Sequence, residues 1–519
     1  QEKKIFTVQG PYPVIRSLLR ARGWVERKFP NVGRPLCTPC PPDEEEEEEQ
    51  WDDDPDGIHD LMSQLVQHQV PYFIWTNRCS AVDCQLLRHD QVVNHFARAG
   101  AFTTKEGLCL NLRNLSWFDQ ADPDTFFPRC YRLGAVDDRQ AFIAARSLLK
   151  VALERVGDVL AGTEQPPKSS EGLGESRVPR PVPSTAGPGP PLSPQLVEEA
   201  LQVCEQHLGS LRHQDIDGEP PSLRMTDAGW DRFLQDYYRV VHEGARLALS
   251  GAQRERCRAL LQDLAGRLPQ LSMEGNCNIW ILKPGAKSRG RGIVCVAQLE
   301  EVLRLAGGCA APLVQAGEWV VQKYVERPLL IFGTKCDIRQ WFLVTNWNPL
   351  TVWFYRKSYL RFCSRPFSLR HLDPARHLCN VSIQKHCRPA RGRHPQLPPD
   401  QIWSCRQFQA YLAQVGRADA WHQVMVPGMK AAVVGALRSS QDLVGSRKGS
   451  FELYGADFIF GEDCQPWLLE INASPTMAPS SAVTSRLCAA VQRDTLRVVI
   501  DYRDDPTCST GAFELIYKE

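Results

Sequence analysis

Three oxygen-bearing side chains late in the chain, Asp457, Glu470 and Asn472, are spaced so that a β-hairpin would aim them at one point. Ala456 to Phe460 and Trp467 to Asn472 are apolar, β-prone runs joined by Gly461-Glu-Asp-Cys-Gln-Pro466, a segment rich in turn formers. Folding the two runs symmetrically about that turn sets Asp457 opposite Glu470, with Cβ atoms about 5 Å apart. Asn472 shares the face of Glu470, because side chains two apart on a strand point the same way. Two carboxylates and an amide oxygen are hard ligands suited to Mg2+, which fills its remaining positions with water or phosphate oxygens. Such a site expects a nucleotide; the bland alternative is a hairpin with solvent-facing acids.

Upstream, Asn278-Ile-Trp-Ile-Leu-Lys283-Pro is a short apolar strand ending in lysine that runs into Gly285-Ala-Lys-Ser-Arg289-Gly290-Arg-Gly292. Glycines let backbone N–H groups approach a phosphate and the cations neutralise its charge. The segment matches neither common glycine motif, since Arg291 breaks the Walker pattern and Cys295 stands where a third glycine is needed. Further on, Lys335, Asp337 and Arg339 fall on one face of a strand, with Ile338, Gln340 and Phe342 on the other. Three charges on one face argue against burial in a core and leave two readings, a solvated face or a ligand site.

In order along the chain, Lys283 with its glycine loop, Gln322-Lys-Tyr-Val325, Lys335-Cys-Asp-Ile-Arg339, Tyr359-Leu-Arg361, His377-Leu-Cys-Asn380-Val-Ser-Ile-Gln-Lys385, Phe451-Glu-Leu-Tyr-Gly-Ala-Asp457 and Trp467-Leu-Leu-Glu470-Ile-Asn472 resemble the tubulin-tyrosine-ligase-like family of ATP-grasp ligases. The resemblance covers roughly residues 272–479. It implies an α+β chain: an ATP-grasp fold whose two lobes surround the nucleotide, preceded by an N-terminal α/β domain. It also implies that Lys283 holds the α- and β-phosphates of ATP, that Arg289 and Gly290 cover them, and that Gln322, Lys323, Tyr324 and Val325 meet adenine largely through backbone atoms. Lys335 and Asp337 match a pair beside the nucleotide. Arg339 and Arg361 match catalytic cations near the γ-phosphate and acceptor, and Asp457, Glu470 and Asn472 match the Mg2+ ligands. Arg361, Asn380 and Lys385 match substrate contacts. Cys379 stands where many members carry threonine, which leaves amino-acid selectivity open.

The chemistry implied is amide formation between an amine and a carboxylate activated as an acyl phosphate, with positioning and fixed charge doing the catalysis. Between residues 351 and 400 ten basic residues (Arg356, Lys357, Arg361, Arg365, Arg370, Arg376, Lys385, Arg388, Arg391, Arg393) face only two acidic ones, whereas the whole chain carries +1. A cationic lobe on a balanced protein suits an acidic polypeptide; nucleic acid is the competitor, but no recognisable nucleic-acid-binding motif accompanies the patch. Lys3 to Lys28, Pro71-Tyr-Phe-Ile-Trp75-Thr and Phe126-Phe-Pro-Arg-Cys-Tyr131 resemble the glycylase branch, which attaches a first glycine to glutamates of tubulin C-terminal tails. Partners implied are tubulin or microtubules and glycine, with no nucleic acid or membrane, the protein acting as a monomer at the cytoplasmic cytoskeleton, cilium or axoneme. Delivery of glutamate or tyrosine by the same chemistry, or a silent microtubule-binding scaffold, are the alternatives; intact Asp457, Glu470 and Asn472 argue against the scaffold.

The elements that must position these groups divide the 519 residues into several units. Residues 1–160 read as an N-terminal domain with a disordered acidic insert at 37–60, where Glu44 to Glu49 chemically imitate a tubulin tail. Residues 161–194 read as a Pro/Gly/Ser linker, 195–325 as the central lobe including a helix over 227–242, 326–490 as the C-terminal lobe with a helix over 421–437, and 491–519 as an extension. The 19 cysteines lack zinc-like pairing beyond Cys37-Thr-Pro-Cys40 and read as reduced thiols. No apolar run reaches membrane-spanning length, no signal-peptide core is visible, and the absence of an initiator methionine suggests a fragment.

Overall fold

The computed structural model describes residues 4–28, 57–83, 86–119, 121–135, 250–275, 277–285, 290–298, 319–390 and 393–519, with single positions between 138 and 304. The linker at 161–194 and residues 37–56 of the acidic insert lie outside the described residues, as does nearly all of the helix expected over 227–242.

The N-terminal segment forms a parallel sheet of β1 (Ile5–Val8), β2 (Val25–Glu26), β3 (Phe73–Trp75) and β4 (Val92–Val93) in the order β2-β1-β3-β4. Parallel neighbours need a crossover. Helix Pro13–Ala21 supplies it between β1 and β2, starting on a proline whose fixed φ suits a first turn and burying Ile15 and Leu19. Gly23, at φ +76°, turns the chain into β2. The acidic insert ends sooner than expected: Ile58–Leu65 is a helix, and Asp60 in its first turn pairs with Lys28 at 2.5 Å. An acid in a first helical turn is favoured by the helix dipole, which a count of charge alone overlooks.

A second, antiparallel sheet contains β5 (Cys130–Arg132), β6 (Trp280–Pro284), β7 (Val294–Val296) and β8 (Trp319–Lys323) in the order β5-β8-β6-β7. Strand β5, expected inside the N-terminal domain, thus extends the central sheet, with Cys130 paired to Gln322 and Tyr131 to Val321. A three-residue apolar strand carries no mark of which distant sheet will accept it.

The third sheet has seven strands: β9 (Leu330–Ile331), β10 (Thr334–Trp347), β11 (Leu350–Phe362), β12 (Ile402–Ser404), β13 (Glu452–Phe460), β14 (Pro466–Ala473) and β15 (Phe513–Lys518). Its spine runs β12-β11-β10-β13-β14, with β15 on β11 and β9 on β10. Residues 491–519 are therefore no appendage: helix Ala482–Leu496 crosses the expected boundary and β15 completes the sheet.

This sheet separates two cores. Ile338, Phe342 and Val344 pack on one side with Met429, Ala432, Val433 and Leu437 of helix Val426–Arg438, which continues a turn at Trp421–Met425. Trp341 and Leu343 pack on the other with Phe6, Phe73 and Trp75 of the first sheet and Val491 of helix Ala482–Leu496. Along β10 the face carrying Trp341 and Leu343 begins with Lys335, Asp337 and Arg339, because alternate residues share a face. One strand face thus changes from apolar core to charged cavity along its length. Among the described residues no helix is long and apolar enough to cross a membrane.

Candidate active site

The late hairpin folds in the register that its spacing predicts. Asp457 on β13 lies opposite Glu470 on β14, with an irregularity in the pairing between Asp457 and Phe458. The Asn472 side-chain amide lies 3.5 Å from the Asp457 carboxylate and 3.3 Å from the Gly455 carbonyl.

On the neighbouring strands the pairing puts Arg339 beside Asp457 and Arg361 beside Asp337. Arg339 donates to the two oxygens of Asp457 at 2.5 and 3.1 Å, Arg361 donates to those of Asp337 at 2.6 and 2.8 Å, and Arg361 also reaches Asp457 at 3.0 Å. All four side chains are buried. The charged face of β10 is therefore not solvated; two guanidiniums and two carboxylates satisfy one another, and bidentate geometry offsets the desolvation that a lone charge would suffer. Burial raises the pKa of Asp457, but the guanidiniums of Arg339 and Arg361 outweigh it and hold the carboxyl well below the usual carboxylate range.

The facing wall comes from β6 and β8. Buried Lys283 donates to Gln322 Oε1 at 2.6 Å and to the Leu469 carbonyl at 3.2 Å, tying the second sheet to the hairpin. Burial pushes its ammonium below the ordinary lysine value, against the pull of Glu470. Lys323 turns its ammonium into the protein, onto Glu326 at 2.7 Å and the carbonyls of Glu274, Ile279 and Tyr324. Lys335, which lines the same cavity as Asp337, donates to the Tyr324 hydroxyl at 2.9 Å and the His377 carbonyl at 2.7 Å. The Tyr324 hydroxyl lies 2.7 Å from His377 Nδ1, and His377 Nε2 lies 2.8 Å from the His371 carbonyl. A carbonyl only accepts, so Nε2 carries the proton and Tyr324 donates to Nδ1. Burial and then Lys335 push the His377 imidazole down to about 4, which keeps it neutral.

These residues line an open cavity that touches Lys283, Gln322, Lys335, Asp337, Asp457 and Glu470. Lys323, Tyr324, Val325, Cys379 and Asn380 also reach it, between apolar walls that include Ile281, Ile293, Ile459 and Leu469. Gly290, at φ +77°, lies so close to the far wall that an added Cβ would sit 2.5 Å from Ile383 Cδ1 and 3.0 Å from Asn380 Oδ1. Of the expected contacts, Lys385 is exposed at the end of helix Val381–Gln384 and does not line the cavity, while Arg289 lies outside the described residues. A cavity with apolar walls, three lysines and three acids suits a flat heteroaromatic group carrying a polyphosphate.

Among the described residues no group of three or more His, Cys, Asp and Glu is arranged to hold a metal ion. The hairpin set instead has two carboxylates facing across one strand pair and an amide beside them. Asp457 keeps acceptor capacity on Oδ1, which takes one bond from Arg339, so the set fits a hard divalent cation whose other ligands are phosphate oxygens.

Sequence reasoning missed three parts of this site. His377 anchors Lys335 and Tyr324 but sits in a motif read only for Cys379, Asn380 and Lys385. Cys379 lies 3.5 Å, sulfur to sulfur, from buried Cys363; burial holds the Cys379 thiol well above its ordinary pKa. Lys105 reaches Glu470 at 3.8 Å from the N-terminal segment, a contact between parts of the chain far apart in sequence.

The sequence pattern of the tubulin-tyrosine ligase family matches residues 233–508. Over its whole length the chain is 54% identical to tubulin monoglycylase TTLL3 of Mus musculus and 51% identical to that of Danio rerio. It is 44% identical to protein monoglycylase TTLL8 of Mus musculus, again over its whole length. The chain spans 59%, 69% and 64% of the lengths of these three relatives.

Proposed function

The chain belongs to the tubulin-tyrosine ligase family, and from that premise we propose that it is an ATP-dependent ligase joining glycine to the γ-carboxylate of glutamates in tubulin C-terminal tails, initiating glycylation. The observation that carries the reading is the Asp457–Glu470 register across the hairpin, opposite Lys283 and over one cavity. In this reading the second and third sheets are the two ATP-grasp lobes and the first sheet is the core of the N-terminal domain.

Adenine lies between Ile281, Ile293 and Ile459 with its edge toward the backbone of Gln322 to Val325, while Lys283 and Lys335 meet the phosphates. Gly290, with Arg289 beside it, closes the phosphate end against Asn380. Asp457, Glu470 and Asn472 would hold Mg2+, which would supply positive charge to offset that of the phosphates. Arg339 and Arg361, fixed by Asp457 and Asp337, stabilise charge on the transferring phosphoryl group. A glutamate carboxylate oxygen attacks the γ-phosphorus, the bond to the β-phosphate oxygen breaks and ADP leaves. The glycine nitrogen then attacks the acyl carbon and the carbon–oxygen bond to phosphate breaks. Of the two protons that nitrogen gives up, one goes to phosphate and one to solvent.

The acidic tail meets the cationic lobe, where Arg356, Lys357, Arg365, Arg370, Lys385 and Arg388 are exposed. Arg376 is bonded to Asp373 and the Pro366 carbonyl, Arg361 is internal, and Arg391 lies outside the described residues. Microtubules, in the cytoplasm and the axoneme, are the proposed setting, and the protein acts as a monomer. Incubation with microtubules, Mg2+, ATP and radiolabelled glycine, glutamate or tyrosine in turn tests the reading: glycine alone enters tubulin. Incorporation of glutamate or tyrosine alone overturns the amino-acid assignment, and incorporation of none overturns the ligase.

A further inference from the structure

Two buried thiols meet at the edge of the cavity. Cys363 directly follows β11 and Cys379 lies two residues beyond helix Pro374–His377, with their sulfurs 3.5 Å apart. Both segments are fixed to the start of β10. The backbone N–H of Cys363 donates to the Lys335 carbonyl at 3.0 Å, the Cys379 thiol points at the same carbonyl from 3.9 Å, and the Lys335 ammonium returns to the His377 carbonyl at 2.7 Å. Cys379 lines the cavity beside Lys335, Asp337 and Asn380. Cys363 is fully buried and stands behind that wall.

The ligation described above uses neither thiol. Burial and the Cys363 thiol beside it keep Cys379 protonated at neutral pH, which slows reagents that need a thiolate. A reagent that bonds both sulfurs gains instead from their fixed separation, because its second bond closes without the entropy of a second encounter. A disulfide would need the sulfurs about 2.05 Å apart; at 3.5 Å they suit a single larger atom bonded to each. We propose that Cys363 and Cys379 form a dithiol site for a trivalent arsenical, R–As=O. Two sulfur–arsenic bonds form, the arsenic–oxygen bond breaks, and the two thiol protons leave on that oxygen as water, with no change of oxidation state. Arsenic reaches Cys363 only past Cys379, so an aryl group on it stays on the cavity side, where Tyr324 and His377 line the wall. Adduct and nucleotide therefore exclude each other. That exclusion rests on the reading of this cavity as the ATP site; the dithiol itself does not.

The test titrates the full chain and its Cys363→Ala and Cys379→Ser variants with phenylarsine oxide, counting bound arsenic by elemental analysis and reading ATP affinity by calorimetry with Mg2+ present. The parent is expected to bind one equivalent more than either variant, since every other cysteine is common to all three, and to lose ATP binding as that equivalent fills. Dimercaptopropanol, which takes arsenic through two sulfurs, restores ATP binding, and mercaptoethanol at the same concentration of thiol does not. Saturating ATP protects the extra equivalent, as mutual exclusion requires, and Cys363→Ala keeps its ATP affinity in the presence of the arsenical. Equal arsenic counts in the parent and both variants overturn the dithiol site. An extra equivalent that leaves ATP binding intact overturns the exclusion. A parent chain that binds no ATP before any arsenical is added overturns the nucleotide reading instead, and the arsenic count still decides the dithiol.

Discussion

Arg339 and Asp457 are directly paired across β10 and β13, and their buried side chains are joined by two hydrogen bonds of 2.5 and 3.1 Å. Arg361 holds the same carboxylate from the opposite strand at 3.0 Å, so one acid neutralises parts of two guanidiniums. Asp457→Ala leaves both without that partner inside the protein and is expected to destabilise the chain by about 3–5 kcal/mol. Replacing Asp457 and Arg339 together with Leu and Met costs less than Asp457→Ala alone, because no lone charge at that pair remains buried. Urea midpoints for the single and double variants check the order.

Lys283 joins the two walls of the cavity through Gln322 and Leu469. Lys283→Met removes the cation while keeping most of the volume. Ligation is expected to fall by about 10²–10³, the usual loss for one preorganised charge, with far-ultraviolet circular dichroism unchanged. Single-turnover formation of ADP measures it.

The imidazole of His377 lies at about 4, below its ordinary 6.5, because burial and Lys335 disfavour the charged form. The unfolded chain takes up a proton that the folded chain refuses between those values, so stability is present above pH 6.5 and is lost as pH falls toward 4. The loss amounts to about 3 kcal/mol by pH 4. In His377→Gln, which keeps an acceptor for Tyr324, the urea midpoint changes less between pH 7 and pH 5 than in the parent. An equal change in both contradicts the assignment.

At Gly290 the left-handed backbone, φ +77°, strains any side chain, and an added Cβ would stand 2.5 Å from Ile383 Cδ1, which must turn aside. Gly290→Ala is expected to weaken ATP binding about 10-fold, since strain above 1 kcal/mol at such a position must be relieved by displacement. Fluorescent-nucleotide titration reads it directly.

Much of this site is legible in the residues. Strand periodicity and a symmetric turn place Asp457 against Glu470, and alternation alone puts Lys335, Asp337 and Arg339 on one face. What periodicity does not carry is the partner across the sheet. Arg361 meets Asp337 only because β10 and β11 pair in one particular register, so a face that reads equally as solvated or as a ligand site becomes part of a buried ionic quartet. Lys105 and β5 come from the N-terminal segment into a site built mainly by the chain's second half, through packing that no local pattern records. Tyr324 and His377 are joined by the closure of a turn onto β8, which likewise depends on tertiary placement.

The central claim is that the hairpin carboxylates and Lys283 hold magnesium and ATP together between the two sheets. Calorimetric titration of ATP with and without Mg2+, on the parent and on Glu470→Gln, tests it most directly. The parent is expected to bind ATP at least about 10-fold more tightly with the metal, a gain largely absent in Glu470→Gln, whose ligation is abolished. Equal ATP affinity with and without Mg2+ in the parent, or a full magnesium gain in Glu470→Gln, contradicts the account.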